Sequence, residues 1–121
     1  MVVKMKLFNL VLSVLIFISL SVSAKSITVY GGIYDCKSWI ELSRKENIEK
    51  DQLVKNAING IQSHWLAGYM TAFNQVTGED NFPMISVSTA KDFISDYCAK
   101  NISKEVVDGL LLLKVKLKKL D

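Results

Sequence analysis

Between residues 50 and 77, apolar side chains recur at three- and four-residue intervals: Leu53, Val54, Ala57, Ile58, Ile61, Trp65, Leu66, Tyr69, Ala72, Phe73 and Val76. On a helix of 3.6 residues per turn these share one stripe, so the pattern predicts a long helix beginning near Glu49 or Lys50. It should end at about Thr77, because Gly78 can take the left-handed backbone that closes a helix. A shorter helix is expected before it, capped by Asp35 and turning Cys36, Trp39, Ile40 and Ser43 inward. After a loop over Glu79 to Val87, marked by Asp80, Asn81 and Pro83, Phe82 and Met84 are expected to pack back on the helices. Ser88 then offers a cap for a third helix with Ala90, Phe93, Ile94, Tyr97 and Cys98 on one face, fading at Asn101. From Ser103 the four-three spacing of Val106, Leu110, Leu113, Leu117 and Leu120 predicts a fourth helix, with Leu111 and Leu112 widening its apolar face. The Lys-Val-Lys-Leu alternation near its end also fits an edge strand, but its length and the Ser103 cap favour helix. In the lead from Lys25 to Tyr34, Ile27, Val29 and Ile33 suit a brief strand around Gly31-Gly32.

The N-terminus changes the setting. Lys4 and Lys6 precede an apolar run from Leu7 to Val22, and Val22-Ser23-Ala24 supplies the small residues of a cleavage site, so residues 1–24 read as a secretory signal peptide. A single membrane anchor is the competing reading, at the short end of the roughly 17 to 25 apolar residues a span needs. Cleavage leaves residues 25–121 as one helical domain with no stable membrane span. The expected location is the periplasm, with secretion as the alternative. The formal charge of +3 falls toward neutral once Lys4 and Lys6 are gone, which argues against a nucleic-acid partner. The late lysines Lys114, Lys116, Lys118 and Lys119 suit the negative end of a helix dipole, with membrane-surface contact the less favoured reading. Cys36 and Cys98, the only two cysteines, are expected to pair in an oxidising compartment. That bond would stabilise by about 4 kcal/mol on the chain-entropy model. The fold class is therefore all-α, a small four-helix domain stapled by one disulfide.

Candidate chemistry is sparse. There is no Gly-x-Ser-x-Gly elbow, no Gly-rich phosphate loop and no His, Cys and carboxylate grouping at metal-ligand spacing, so neither catalysis, a cofactor nor a metal is expected. The carboxylate pairs Glu46 and Glu49, Glu79 and Asp80, and Asp92 and Asp96 read as solvated charge. His64 points off the main stripe; it is a weak candidate pH sensor. Trp39, Trp65, Tyr69 and Phe73 are candidates for core packing or protein binding. Gly68 costs about 1 kcal/mol within a helix and so asks for a reason, for which close packing of the Gly68–Ala72 seam against another helix of the chain is the first choice and a second subunit the other.

An early Cys36 with Trp39, the central Trp65-Leu66-Ala67-Gly68-Tyr69-Met70, and then Asp96-Tyr97-Cys98-Ala99-Lys100-Asn101 before a leucine-rich terminal helix together resemble the small periplasmic HdeA-like proteins. In layout the chain is also similar to periplasmic immunity proteins that protect bacteria from type VI secretion effectors. The matched positions are Cys36, Trp65, Gly68, Tyr69 and Cys98; the resemblance carries a role over only to the cysteine pair. The first resemblance implies an HdeA-like, non-enzymatic binder of unfolded clients, an acid-stress chaperone that forms a homodimer near neutrality. The second implies a partner of one secreted toxin.

Overall fold

The computed structural model describes residues 28, 30–33 and 35–120, and over them the chain is all-α with one disulfide. The expected signal peptide and cleavage site, and Ile27 and Val29 of the expected strand, lie outside the described residues. Four helices follow in order: α1 (Cys36–Ile48), α2 (Gln52–Thr77), α3 (Val87–Lys100) and α4 (Val106–Lys118). Among the described residues the lead forms a turn rather than a strand, with Gly31 and Gly32 at φ 96° and 70°. Glycine, which has no Cβ, tolerates that backbone, and the backbone departs from the extended form a strand needs.

Local chemistry sets the ends. The Asp35 carboxylate accepts from the Ser38 backbone N–H at 2.8 Å and from its hydroxyl at 2.7 Å, closing the start of α1. Asp51 accepts from the N–H groups of Leu53 and Val54, and Gly78 at φ 68° ends α2 as the pattern predicts. Two caps lie elsewhere than expected. Ser86, not Ser88, accepts from the Thr89 N–H at 3.0 Å, which brings Val87 into α3 as a residue packed against the core. Glu105, not Ser103, precedes α4, and its N–H donates to the Asp108 carboxylate at 3.1 Å. Residues just before it are committed elsewhere: the Cys36 N–H donates to the Lys104 carbonyl at 2.9 Å, and Asp35 pairs with Glu105 in an isolated antiparallel bridge.

α3 packs on all three other helices, and α1 packs on α2. Trp39, Leu66, Ile94, Val106 and Leu110 are fully buried between them, together with Cys36 and Cys98. The disulfide joins the first residue of α1 to α3 across a Cα separation of 4.8 Å, closing 62 residues. Trp39 organises the centre. Its ring N–H donates to Ser95 Oγ on α3 at 3.0 Å, while its carbonyl accepts from Gln62 Nε2 on α2, also at 3.0 Å.

Several apolar positions face out rather than in. On α2 the inner line is Ile58, Gln62, Leu66, Met70 and Phe73, whereas Leu53, Val54, Ala57, Ile61, Ala72 and Val76 are exposed. The physical reason is that the stripe is wider than the covered face: Gln62 turns toward the Trp39 carbonyl and the Ser43 hydroxyl of α1 and carries Ile58 and Leu66 inward with it, while Leu53, Val54, Ala57 and Ile61 lie on the solvent side of the same turns. Phe82 is buried as expected, but Met84 is fully exposed and sits at φ 54°, a backbone that turns its side chain away from the helices. Leu111 and Leu112 do not extend the inner face of α4 either; both are exposed, as is Leu120.

Candidate binding groove

The half of α2 beyond the reach of α1 carries Trp65, Tyr69 and Phe73 at four-residue spacing, which stacks them along one side of the helix. Trp65 and Tyr69 have ring centroids 5.5 Å apart at 17°, and Tyr69 and Phe73 6.1 Å apart at 24°. Phe82 closes the ladder edge-on at 6.0 Å from Phe73, and the Lys114 ammonium of α4 sits 5.0 Å from the Phe73 centroid. Such contacts hold the rings in place without covering them.

Beside the ladder runs an open groove of about 600 Å³. Trp65, Gly68, Tyr69 and Ala72 of α2 make one side, with Val107 of α4, Thr28 and Tyr30 of the lead, and His64 at the rim. The small side chains at 68 and 72 keep it open. A Cβ on Gly68 would meet no heavy atom within 4 Å, so the close helix contact expected there is absent from the described chain. Gly31 does make a close approach: a Cβ there would lie 3.2 Å from Trp65 Cδ1, and glycine lets the lead rest on the indole. Tyr30 beside it is 85% exposed.

The lining is mostly apolar and aromatic, with Thr28 and His64 its polar members and no carboxylate or lysine. Burial pushes the Tyr69 phenol up from its ordinary pKa, so it stays neutral and acts as a hydrogen-bonding edge on an apolar surface. No grouping of three or more His, Cys, Asp or Glu among the described residues could hold a metal ion. Such a groove suits apolar side chains of another molecule.

Of the residues singled out from the sequence, Trp65, Gly68 and Tyr69 meet at the groove, with Phe73 at the end of the ladder. Trp39 is in the core, where its ring is closed to any partner. His64 is exposed at the rim, one turn from Gly60. Tyr30, Thr28 and Val107 were not foreseen; Gly31-Gly32 was the only local signal that the lead turns there.

A second feature joins three helices through one carboxylate. Glu46 of α1 accepts from the Lys91 ammonium of α3 at 2.7 Å and from Asn59 Nδ2 of α2 at 2.8 Å. Burial raises the Glu46 pKa, but the bonds from Lys91 and Asn59 outweigh it and hold the carboxyl below its ordinary value. Comparison with protein families, with curated proteins and with solved structures finds no match to this chain. Fold and groove together define a disulfide-stapled helical domain with a solvent-open aromatic surface. No helix among the described residues is long and apolar enough to cross a membrane.

Proposed function

We propose that this chain is a non-enzymatic, exported protein-binding factor of the HdeA-like kind, serving as a periplasmic acid-stress chaperone. The observation that carries the reading is the groove: a preformed, mostly apolar and aromatic surface without a carboxylate or lysine, which takes apolar side chains. The three-helix junction at Glu46 supports the acid-responsive part. Because the folded pKa is lowered, the stabilisation from this carboxylate is present above its unfolded pKa and lost as the pH falls through the folded one. Acid therefore loosens α1 from α2 and α3 and adds apolar surface to what the groove already exposes.

The groove's being open and held by a packed, stapled frame favours a second reading, an immunity protein that binds one folded toxin at neutral pH, since a pre-ordered surface loses little freedom on binding. One experiment separates the two. Light scattering of an acid-labile client is followed at about pH 2 to 3, with the oxidised chain, with W65S/Y69S and without addition, beside a neutral heat-aggregation control. Suppression confined to acid and weakened in the variant supports the chaperone reading. No suppression in either condition sinks it and leaves a dedicated neutral-pH partner.

A further inference from the structure

We propose that the outer face of α4 docks on an anionic lipid bilayer. Leu111, Leu112 and Val115 are 45%, 41% and 49% exposed, on the side of α4 away from the buried Val106, Leu110 and Leu113. Residues 109–120 carry four lysines and no carboxylate. Lys118 pairs with Glu79 at 3.0 Å and Lys114 lies over Phe73, while Lys116 and Lys119 have no ion-pair partner among the described residues. The helix dipole accounts for lysines near a C-terminus, but not for the two leucines exposed just before them and the valine among them. Apolar side chains flanked by cations on an outward ridge are the arrangement of a helix that lies in a membrane interface.

The cleft between α3 and α4 adds a place for a headgroup. It has a volume of about 420 Å³, with Phe93, Tyr97 and Leu112 as apolar lining and Lys100 and Lys116 as cations. Asp96 is the one carboxylate lining it and Asn101 adds an amide; with two ammonium groups the balance is positive. A lipid phosphate has two ammonium groups to meet here and apolar lining beside them for the start of its glycerol end. Charge complementarity decides the occupant: a second copy meeting this face would bring the same lysines against these, whereas an anionic surface neutralises them. This face is separate from the groove on α2, and the proposal stands whether or not that groove binds clients.

The test uses oxidised residues 25–121, which contain every core residue and both cysteines. Co-sedimentation is measured with phosphatidylcholine vesicles and with vesicles containing about 30% phosphatidylglycerol, for the parent chain, K116E/K119E and L111S/V115S. All four positions are exposed, and circular dichroism checks that each variant folds. The parent should sediment with anionic vesicles and weakly or not at all with neutral ones. At roughly fivefold in partitioning per lysine, K116E/K119E should weaken binding by roughly twentyfold or more, and L111S/V115S should also weaken it. Absence of binding, equal binding to both vesicles, or binding unchanged in both variants overturns the proposal. So does a concentration-dependent dimer, seen without vesicles and abolished by L111S/V115S, which would assign the face to a second copy.

Discussion

Two helical glycines, Gly68 and Gly109, should respond to alanine with opposite signs. At Gly109, in the first turns of α4, a Cβ would stand 2.8 Å from Ile94 Cδ1, 2.8 Å from Tyr97 Cδ1 and 3.1 Å from Tyr97 Cγ. Ile94 is fully buried, so its methyl has no open space to enter, and the nearest Tyr97 atoms belong to the root of the ring rather than its tip. Overpacking of this kind costs about 1–3 kcal/mol. The better helix propensity of alanine returns only about 0.5–1 kcal/mol. G109A should therefore net a loss of anywhere from about 0 to 2.5 kcal/mol, against a gain of about 0.5–1 kcal/mol if the added methyl met nothing. At Gly68, where the added methyl meets nothing within 4 Å, only the propensity gain remains, and G68A should be more stable by about 0.5–1 kcal/mol. Urea unfolding of the oxidised chain, followed by tryptophan fluorescence and far-ultraviolet dichroism together, reads both. A G109A chain more stable than the parent by about 0.5–1 kcal/mol at an unchanged slope, the full propensity gain with no packing cost, would refute the packing of α4 on α3 described above. A destabilised G68A would mean that something already occupies the groove.

Other outcomes follow from single contacts. Replacing both cysteines by serine, C36S/C98S, should lower stability by up to about 4 kcal/mol in denaturant unfolding, and a loss under about 1 kcal/mol would show that the closed 62-residue loop contributes little. E46Q should cost about 1–2 kcal/mol at neutral pH. That cost should vanish as the pH falls through the folded Glu46 pKa, so a stability-versus-pH curve parallel to the parent below about pH 4.5 would contradict the three-helix junction. W39F removes the bond to Ser95 and leaves a void, costing about 2–3 kcal/mol; a double-mutant cycle with S95A should return a coupling of about 1 kcal/mol, and zero coupling would remove that bond from the account.

The four helices were legible because each carries its own apolar period and a local stop, and the disulfide because the chain's two cysteines have only each other to pair with. What failed to show was decided by distant partners. Gln62 looks like a surface residue until the Trp39 carbonyl is placed beside it, and the inward line of α2 turns with it. Nothing near Ser103 announces that Lys104 is held by Cys36, which delays α4 to Val106. Gly68 invited the expectation of a tight helix contact, whereas the tight contact belongs to Gly109, which sits so near a helix start that its cost to the helix is easily overlooked. For the groove, Trp65, Gly68 and Tyr69 could be read from one helix, but Tyr30 and Val107 come from segments that meet only after folding.

The central place of α3 bears on the order in which the chain can assemble. Synthesis delivers α1 and α2 first, and they have only each other as native helix partners until residues 87–100 emerge; Cys36 likewise waits for Cys98. A chain halted before α3 is therefore not most of a fold but a lone hairpin with Trp39 uncovered and its thiol unpaired. Such a fragment is a substrate for proteases and aggregation. The last third of the sequence acts less as an addition to a growing structure than as the event that starts it.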